Sequence, residues 1–381
     1  MKILLIVIDG MADEGRTALM RARKPNMDRL AKEGVCGYFI NRLGHYPDSD
    51  ISNLYLLGYT KKEHPGRGYI EALAVTKPKK DDLCIRCNFA TVEDGKLVDR
   101  RAGREETGLD ALSKKLNLVI EGVKIRFIHT TGHRAVLLAK GLSTMISSND
   151  SRTVGAIKKI RPLDKSSNAK RTARILNKFL LKSQEILSKD PINTKRKVPA
   201  NYILLRSYGK YKHVTPFRKK HGLAGGVVSA TTDIIGLGKY LGLQTKMVGD
   251  GTPKTNLKAK LKAVKQFLKT KDFVFLHIKA ADTLSHDHDC EGKRRFIERI
   301  DRELIKNLPK DITTIITADH ICACRAKDYG HHSGLVPVLI HSKYIQPDGI
   351  TSFDEKSVLK GSLGRIKAEN LIKKAKSLHS I

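Results

Sequence analysis

The feature that most constrains the fold is a set of short, wholly apolar runs that end in polar turns. The chain opens with one such run, Ile3-Leu4-Leu5-Ile6-Val7-Ile8, which stops at Asp9-Gly10. A run without polar alternation predicts a strand buried on both faces, as in parallel sheets covered by helices. Further strands are predicted at Tyr202 to Leu205, Phe273 to Ile278, Thr313 to Thr317 and Val336 to Ile340.

Helical stretches lie between these runs, for example at residues 256–269 and 292–308. Strands that alternate with helices predict an α/β fold with a largely parallel sheet flanked by helices. The more charged and less regular stretch 66–196 predicts a smaller α/β domain. Because strand and candidate site segments occur on both sides of it, we expect it to be inserted into a domain formed by 1–65 and 197–381.

The charge of the chain is strongly basic. Its 381 residues include 72 Lys and Arg against 39 Asp and Glu, a net charge of +33. Residues 191–232 contain nine Lys or Arg and no acidic residue. This charge can belong to a lysine-rich solvated surface or to a funnel for a multiply anionic small substrate. It can also mark a nucleic-acid surface, although an aromatic-rich binding motif is lacking.

The cellular compartment is predicted from the missing export signals. The first apolar run is shorter than a signal-peptide core of about 7–15 residues or a membrane span of about 20. We therefore expect a cytoplasmic protein without a membrane segment, either a monomer or a homo-oligomer, with reduced cysteines. Cys84-x-x-Cys87 and Cys322-x-Cys324 can be zinc half-sites or small apolar core residues.

Candidate metal ligands follow the predicted strands or stand just before the last one. They are Asp9, Asp282, His286, Asp319, His320 and the pair His331-His332. Ligands of an open α/β sheet bind outside the carboxyl ends of its strands, so we expect these side chains to meet. Three carboxylates and three imidazoles are too many for one tetrahedral ion and favour two divalent cations. Two such ions can hold both oxygens of a phosphoryl transfer.

The candidate nucleophile is Ser49, which precedes a predicted helix. A hydroxyl at a helix N-terminus lies close to backbone N–H groups that can hold phosphate oxygens. A bound cation would also lower the pKa of the hydroxyl and make it nucleophilic. Ser49 can equally be an ordinary helix N-cap, a role for which Ser52 competes.

Ordered motifs run through almost the whole chain. They include Asp9-Gly10-Met11-Ala12-Asp13, Ser49-Asp50, Gly66-Arg67-Gly68, Arg86-Cys87-Asn88, Asp99-Arg100-Arg101-Ala102-Gly103-Arg104, Asp282, His286-Asp287, Asp319-His320 and His332-Ser333-Gly334. With these motifs the chain resembles the archaeal-type cofactor-independent phosphoglycerate mutases, a branch of the alkaline phosphatase superfamily.

The resemblance implies an alkaline-phosphatase-like core and the interconversion of 2-phosphoglycerate and 3-phosphoglycerate through a phosphoserine, without 2,3-bisphosphoglycerate. One cation would be held by Asp9, Ser49, Asp319 and His320, and the other by Asp282, His286 and His332. We prefer His332 to His331 because it begins the His-Ser-Gly run of the family. Manganese is the ion expected first, and zinc, cobalt or magnesium are the alternatives.

The resemblance also implies how the substrate is held. Guanidinium groups bind carboxylates and phosphates bidentately, and those in matching motifs are Arg67, Arg100, Arg101 and Arg104. Lys279 is expected to neutralise developing charge. Asp99, and less so His133, would accept protons from the glycerate hydroxyls, although Asp99-Arg100 can also be a structural pair. An inserted domain that closes over the site would keep the intermediate from water.

The chain departs from the family in several places, two of which adjoin Ser49 and the pair Asp319-His320. Asp48 stands before Ser49 where the family has Gly. Ile321-Cys322-Ala323 follows Asp319-His320 in place of small polar and proline residues. These differences bear on substrate fit and metal preference, so a phosphatase or another phosphomutase of the superfamily stays open as an alternative, with nucleic-acid binding third.

Overall fold

The computed structural model describes residues 1–41, 49–326 and 331–378, so that Asp48 lies outside the described residues. The chain forms two compact units. One consists of Met1–His64 and Val214–Ile381, and the other of Pro65–His213. In the chain, the residues of the smaller unit therefore lie between the two segments of the larger one.

Within the described residues, the strands in chain order are β1 (Ile3–Ile8), β2 (Val35–Asn41), β3 (Asp82–Glu93), β4 (Lys96–Asp99), β5 (Val119–Ile120), β6 (Val123–Thr131), β7 (Arg134–Lys140), β8 (Gly155–Ala156), β9 (Tyr202–Gly209), β10 (Gly225–Ser229), β11 (Gln244–Met247), β12 (Phe273–Ile278), β13 (Thr313–Thr317), β14 (Ile321–Cys322), β15 (His331–His332), β16 (Gly334–His341) and β17 (Gly364–Ile366).

The α-helices in the same ranges are α1 (Ala18–Arg21), α2 (Pro25–Lys32), α3 (Ser49–Leu56), α4 (Arg67–Val75), α5 (Leu109–Lys115), α6 (Ser167–Lys189), α7 (Pro191–Thr194), α8 (Phe217–His221), α9 (Thr232–Tyr240), α10 (Leu257–Thr270), α11 (Ala280–His286), α12 (Cys290–Glu303) and α13 (Leu371–Ser377).

The larger unit is built on a central sheet. Its described strands lie in the order β11-β10-β12-β1-β13-β16-β2-β17. The strand β1 is parallel to both β12 and β13, and only the pairings of β16 are antiparallel among those described. All six residues of β1 are buried. The predicted α/β class with a largely parallel sheet is thus confirmed.

Helices cover this sheet through apolar faces and begin at polar caps. The helix α10 buries Leu257, Leu261, Val264 and Leu268 at helical spacing, and the side chain of Asn256 accepts a hydrogen bond from the backbone N–H at its start. Asp289 caps α12 in the same way. The segments that follow the carboxyl ends of the central strands carry the candidate ligands.

The smaller unit has its own sheet, whose strands run β5-β6-β7-β3-β4-β8, with β9 also paired to β3. One face of β3 presents Leu83, Ile85, Cys87 and Phe89 to an apolar core that includes Phe179 of α6. The opposite face carries Arg86 and Asn88, because successive strand residues point to opposite sides. The smaller unit therefore has one apolar and one polar sheet face.

The second boundary of the smaller unit differs from the predicted one. It lies at His213 and not at 196, because β9 pairs with β3 from Cys84 opposite Gly209 to Ala90 opposite Tyr202. A four-residue apolar run shows that a strand forms but does not show which sheet the strand joins. The substrate-binding role of the smaller unit stays a prediction.

Two predictions about membranes and cysteines can be compared with the structure. Among the described helices, none is long and apolar enough to cross a membrane. Cys290 and Cys324 form a disulfide, so the expectation that the cysteines are all reduced is wrong. Cys84 and Cys87 lie on opposite faces of β3, which excludes them as a zinc half-site.

We predict that a count of reactive thiols reveals the disulfide and that this bond stabilises the larger unit. Without reductant, four of the six cysteines should react with a thiol reagent in denaturant, and all six after reduction. Closing a loop of this separation, 34 residues, should stabilise the folded state by about 3–4 kcal/mol. Denaturant unfolding of Cys290→Ala should show that loss, while Cys36→Ala serves as a buried-cysteine control. Six reactive thiols before reduction would contradict the bond.

Candidate metal centre

Three buried carboxylates meet at the carboxyl ends of the central strands. Asp9 directly follows β1, Asp319 follows β13, and Asp282 lies in the first turn of α11 after β12. Because these three strands are parallel neighbours, their ends share one edge of the sheet. At most 2% of each residue is exposed. The sheet thus concentrates negative charge where water cannot screen it.

Gly10 allows the first of these turns to approach the others. Its φ is +63°, and a Cβ there would lie 2.8 Å from the Cβ of Cys322 and 2.9 Å from that of Asp282. Both the backbone angle and the space exclude a side chain. The Gly10 N–H donates to Asp319 Oδ1 at 3.1 Å, which ties the β1 turn to the β13 turn.

One group of ligand atoms surrounds Asp9. His320 Nε2 lies 3.3 Å from Asp9 Oδ1, and His277 Nε2 lies 3.1 Å from Asp9 Oδ2. The other ring nitrogen of His320, Nδ1, donates to the carbonyl of Ile321 at 3.0 Å. That bond fixes the tautomer, so a neutral His320 directs the lone pair of Nε2 toward the carboxylates.

A second group surrounds Asp282. Its Oδ1 lies 3.0 Å from His331 Nε2 and 3.4 Å from His286 Nε2, and the two Nε2 atoms are 3.1 Å apart. Lys279 lies between the groups, with its Nζ 2.6 Å from Asp282 Oδ2 and 2.9 Å from Asp9 Oδ2. The ammonium of Lys279 therefore neutralises part of the charge of both carboxylates.

Ser49 begins α3 and faces the same cluster. Its Oγ lies 3.2 Å from His320 Nε2. Asn53, one turn later, donates to the Ser49 carbonyl at 2.8 Å and to Asp319 Oδ2 at 3.0 Å, which joins the helix to the cluster. The competing hydroxyl, Ser52, instead accepts a hydrogen bond from Asn41. Of the two serines, only Ser49 approaches a candidate ligand within hydrogen-bond distance in the described structure.

The histidine expected at the second group is not the one that reaches it. His331 contacts Asp282 and His286, whereas His332 Nδ1 lies 3.0 Å from Glu14 Oε2. The cause is the register of the β14–β15 ribbon, in which His331 stands opposite Cys322 and His332 opposite Ile321. Paired residues share a face, so one of the two adjacent histidines must point away. In the described structure His331, and not the preferred His332, therefore lies at Asp282 and His286, and which of the two histidines holds an ion stays a prediction.

Burial and neighbouring charges set the pKa values in the cluster. Burial alone would raise the pKa of Asp9 and Asp282, but the Lys279 ammonium holds both well below their usual range. Burial and the charge of Asp9 raise the pKa of Asp319 to about 6. Burial lowers the pKa of His320, but the neighbouring carboxylates, Asp319 first, raise it to about 9. The negative charge of the carboxylates therefore stabilises any nearby cation, including the protonated imidazole of His320.

Divalent cations fit this donor set. Asp9 Oδ1 and His277 Nε2 are buried and make no hydrogen bond to any described residue, although other ligand atoms lie nearby. Three groups of side chains could each hold an ion, because the ligand atoms within a group lie within 4.8 Å of one another. The groups are Asp9 with His277 and Asp319, Asp9 with Asp282 and His320, and Asp282 with His286, Cys322 and His331. Carboxylate oxygens and imidazole nitrogens that face one another in this way can share metal ions.

In the smaller unit, arginines cluster on the polar face of the sheet. Arg86 of β3 stands opposite Arg206 of β9, and Arg134 stands opposite Asn88. Glu71, which is buried, lies 2.9 Å from Arg67 Nε and 3.1 Å from Arg86 Nε. Burial, followed by Arg134 and Arg101, lowers the pKa of His133 to about 3, so it stays neutral among these cations.

Two residues expected to contact the substrate, Arg100 and Asp99, bind other residues of the smaller unit. Arg100 makes a bidentate ion pair with Asp150, through Nε at 2.9 Å and Nη2 at 2.8 Å. Asp99 accepts the backbone N–H of Arg101 and of Gly103, both at 2.7 Å. Asp99 therefore caps the turn that carries Arg101 and Arg104, and its partner is not Arg100. This geometry favours the structural alternative for Asp99 over proton transfer.

Several residues at these clusters are absent from the predicted site: His277, Cys322, Arg86, Arg134 and Arg206. His277 has a signal in the sequence, since it is a polar residue in an otherwise apolar strand. Cys322 is predicted only as half of a possible Cys-x-Cys zinc pair and as a departure from the family, and Arg86 only as part of a family motif. The arginines are scattered over three strands and become neighbours only through strand pairing, so their spacing in the chain carries no signal.

A buried network supports the β1 turn. Lys293 is fully buried and donates to Asp13 Oδ2 at 3.1 Å and to the carbonyl of Cys322 at 2.9 Å. Glu355 accepts the Asp13 N–H and the Thr17 hydroxyl. Burial raises the pKa of Glu355 to about 7. The network connects the loops after β1 and β13, which carry Asp9, Asp319 and His320.

Comparison with known proteins places this arrangement in a family. The model of the 2,3-bisphosphoglycerate-independent phosphoglycerate mutase family matches residues 31–193. A phosphoglycerate mutase of that kind from Archaeoglobus fulgidus is 41% identical and covers 100% of this chain and 98% of its own length. One from Methanococcus aeolicus is 39% identical, over 98% of this chain and 96% of its own.

Solved structures agree with this placement. The cofactor-independent phosphoglycerate mutase of Thermoplasma acidophilum is 32% identical, with 99% of each chain covered and a TM-score of 0.68. A protein from Pyrococcus horikoshii is 30% identical, with 100% of this chain and 97% of that chain covered and a TM-score of 0.84. The fold and the clustered ligands are those of a metal-binding α/β enzyme. The chain belongs to the family of 2,3-bisphosphoglycerate-independent phosphoglycerate mutases.

We predict that Glu355 makes the stability of the larger unit depend on pH. Its pKa is raised from 4.5 to about 7 on folding, so the folded protein holds this proton more tightly than the unfolded chain. The stabilisation is complete below about pH 4.5 and is lost as the pH rises through 7, which amounts to about 3 kcal/mol. Denaturant unfolding at several pH values should show this loss in the wild type relative to Glu355→Gln. Parallel pH profiles for the two proteins would contradict it.

Proposed function

We propose that this chain interconverts 2-phosphoglycerate and 3-phosphoglycerate through a phosphoserine at Ser49, without 2,3-bisphosphoglycerate. The observation that carries the proposal is the position of the Ser49 hydroxyl, 3.2 Å from His320 Nε2 at the edge of a cluster of buried carboxylates and imidazoles. A serine there can accept a phosphoryl group and return it to the other glycerate hydroxyl.

The proposed reaction uses two divalent cations. One would be held by Asp9, Ser49, Asp319 and His320, and the other by Asp282, His286 and His331. Bound ions of this kind lower the pKa of a hydroxyl and neutralise phosphoryl oxygens. Manganese is the first choice from the family resemblance, and zinc, cobalt and magnesium are the alternatives. His277, which contacts Asp9 and lies 3.4 Å from Ser229 Oγ through Nδ1, orients the Asp9 carboxylate.

In this proposal Ser49 attacks the phosphorus, and the residues around it support the reaction. The N-terminus of α3 presents N–H groups to the phosphate oxygens. The Lys279 ammonium, held between Asp9 and Asp282, adds positive charge where negative charge develops on the transferring group. Asp99 is assigned to the turn that it caps, and not to proton transfer.

The arginines of the smaller unit are the proposed ligands of the substrate carboxylate and phosphate. Arg67, Arg100, Arg101 and Arg104, expected from the motifs, are joined by Arg86, Arg134 and Arg206. In this cluster the arginines outnumber the carboxylates of Glu71 and Asp150 that pair with them. Nε of Arg134 is buried without a hydrogen bond to described residues, which suits the recognition of an anion. His133, held neutral, can accept a hydrogen bond from a glycerate hydroxyl.

We predict that Ser49→Ala abolishes the mutase reaction. The variant should be at least about a thousandfold slower in a coupled assay with Mn²⁺, because no group remains to carry the phosphoryl group between the two hydroxyls. Ser52→Ala, one turn away on α3, is the matched control and should keep its rate within a few fold. Both variants should give the unfolding curve of the wild type.

The same assay distinguishes the alternatives. An unchanged rate in Ser49→Ala would contradict the phosphoserine mechanism. A requirement for added 2,3-bisphosphoglycerate would contradict cofactor independence. Release of inorganic phosphate faster than isomer formation would identify a phosphatase of the superfamily, since water would then take the phosphoryl group.

We predict that Arg134→Gln weakens substrate binding. Losing a hydrogen bond from a charged group costs about 1.5–3 kcal/mol, so KM should rise by about tenfold or more, with a smaller change in kcat. Arg126→Gln is the control, because Arg126 lies on the neighbouring strand β6 and donates to Thr76 at the exposed surface. An equal KM in the two variants would contradict the role of the cluster.

The cytoplasmic location expected from the sequence stays a prediction. Assembly into a homo-oligomer and, as the least favoured alternative, the binding of nucleic acid by the basic stretch 191–232 stay open. Nucleic-acid binding would have to weaken steeply with salt and persist in Ser49→Ala.

A further inference from the structure

A cysteine lies beside the second group of candidate ligands. The Sγ atom of Cys322 lies within 4.8 Å of a ligand atom of each of Asp282, His286 and His331. Cys322 is a buried free thiol. Its hydrogen bond to the carbonyl of Asp282 is long at 4.0 Å, as expected of a weak donor.

The β14–β15 ribbon directs this thiol to the cluster. Cys322 and His331 are opposite one another in the antiparallel register, so their side chains lie on the same face. The register that brings His331 to Asp282 therefore brings Cys322 as well. Cys324, two residues later, is bonded to Cys290, so the Cys-x-Cys segment offers one sulfur and not two.

The distances suit a small tetrahedral site. The three separations among Asp282 Oδ1, His286 Nε2 and His331 Nε2 are 3.0, 3.1 and 3.4 Å. Ligands about 2.0–2.3 Å from a zinc ion at tetrahedral angles lie roughly 3.3–3.6 Å apart. One separation lies in this range and the other two are about 0.2–0.3 Å shorter, so a small outward shift of the three ligand atoms gives one tetrahedral face, and Cys322 is the nearby donor that can complete the tetrahedron.

We propose that Cys322 is a fourth ligand of the ion bound by Asp282, His286 and His331, and that it makes this site prefer Zn²⁺ or Co²⁺ to Mn²⁺ and Mg²⁺. The inference rests on the two-ion site of the proposed function. On binding, a metal–sulfur bond forms and the thiol proton passes to the buffer. Thiolate is a soft ligand that selects zinc-like ions, whereas Mg²⁺ and Mn²⁺ favour oxygen. Among the described residues, the ligand atoms grouped with Asp9 are oxygen and nitrogen, with no sulfur.

The test uses cobalt as a spectroscopic probe. Co²⁺ is titrated into the full-length, metal-free chain, and a sulfur-to-cobalt charge-transfer band is expected in the near ultraviolet beside the visible bands of tetrahedral cobalt. In Cys322→Ser the charge-transfer band should disappear while the visible bands remain, which also shows that the site is still folded. Cys84→Ala removes another buried free thiol, in the smaller unit, and should leave the spectrum unchanged.

Metal competition gives a second readout. Zn²⁺ affinity should fall by at least about 10–100-fold in Cys322→Ser, the loss typical even of residues that only support a ligand. Mn²⁺ affinity should change by only a few fold. Bound cobalt without a charge-transfer band, or the same band in Cys322→Ser, would overturn the role of Cys322 and leave the mutase proposal intact. Failure to bind cobalt at the Asp282 group would overturn both.

Discussion

The candidate metal centre of the larger unit can exist only because the repulsion among three buried carboxylates, Asp9, Asp282 and Asp319, is compensated. Parallel strands bring them to one edge of the sheet, where little water can screen them. Such an arrangement persists only if cations or hydrogen-bond donors compensate the charge. Lys279 compensates two of the carboxylates, and His320 carries a raised pKa because of the same field. The affinity for divalent ions is a further consequence of this one constraint.

The loops around the cluster are tied to one another by hydrogen bonds and a disulfide. Gly10 lets the turn after β1 come close to α11, and its N–H binds Asp319. Lys293, fully buried, holds Asp13 and the Cys322 carbonyl together. The disulfide from Cys290 then fixes the end of the same loop at Cys324. Ligand geometry in this protein is therefore a property of three connected loops, each tied to a different central strand.

The basic residues fall into two groups that differ in their arrangement. In the smaller unit, part of it is organised, because paired strands gather arginines on one sheet face and Glu71 and Asp150 hold them in place. Elsewhere, lysines such as Lys114 and Lys189 form exposed i,i+4 pairs, which solvent screening makes weak. A net charge of +33 is thus compatible with a small anionic substrate, for whose recognition we propose the organised part.

The sequence by itself determined the strands β1, β12 and β13, because unbroken apolar runs can be buried only inside a covered sheet. It also determined that Asp9, Asp282, His286, Asp319 and His320 would meet, because parallel strands share their carboxyl ends. Only the tertiary structure decided that β9 joins the smaller sheet, that His331 and not His332 reaches Asp282, and that Cys322 and the arginines of three strands join the clusters. These outcomes depend on strand register and pairing, which act between residues far apart in the chain and leave no local pattern.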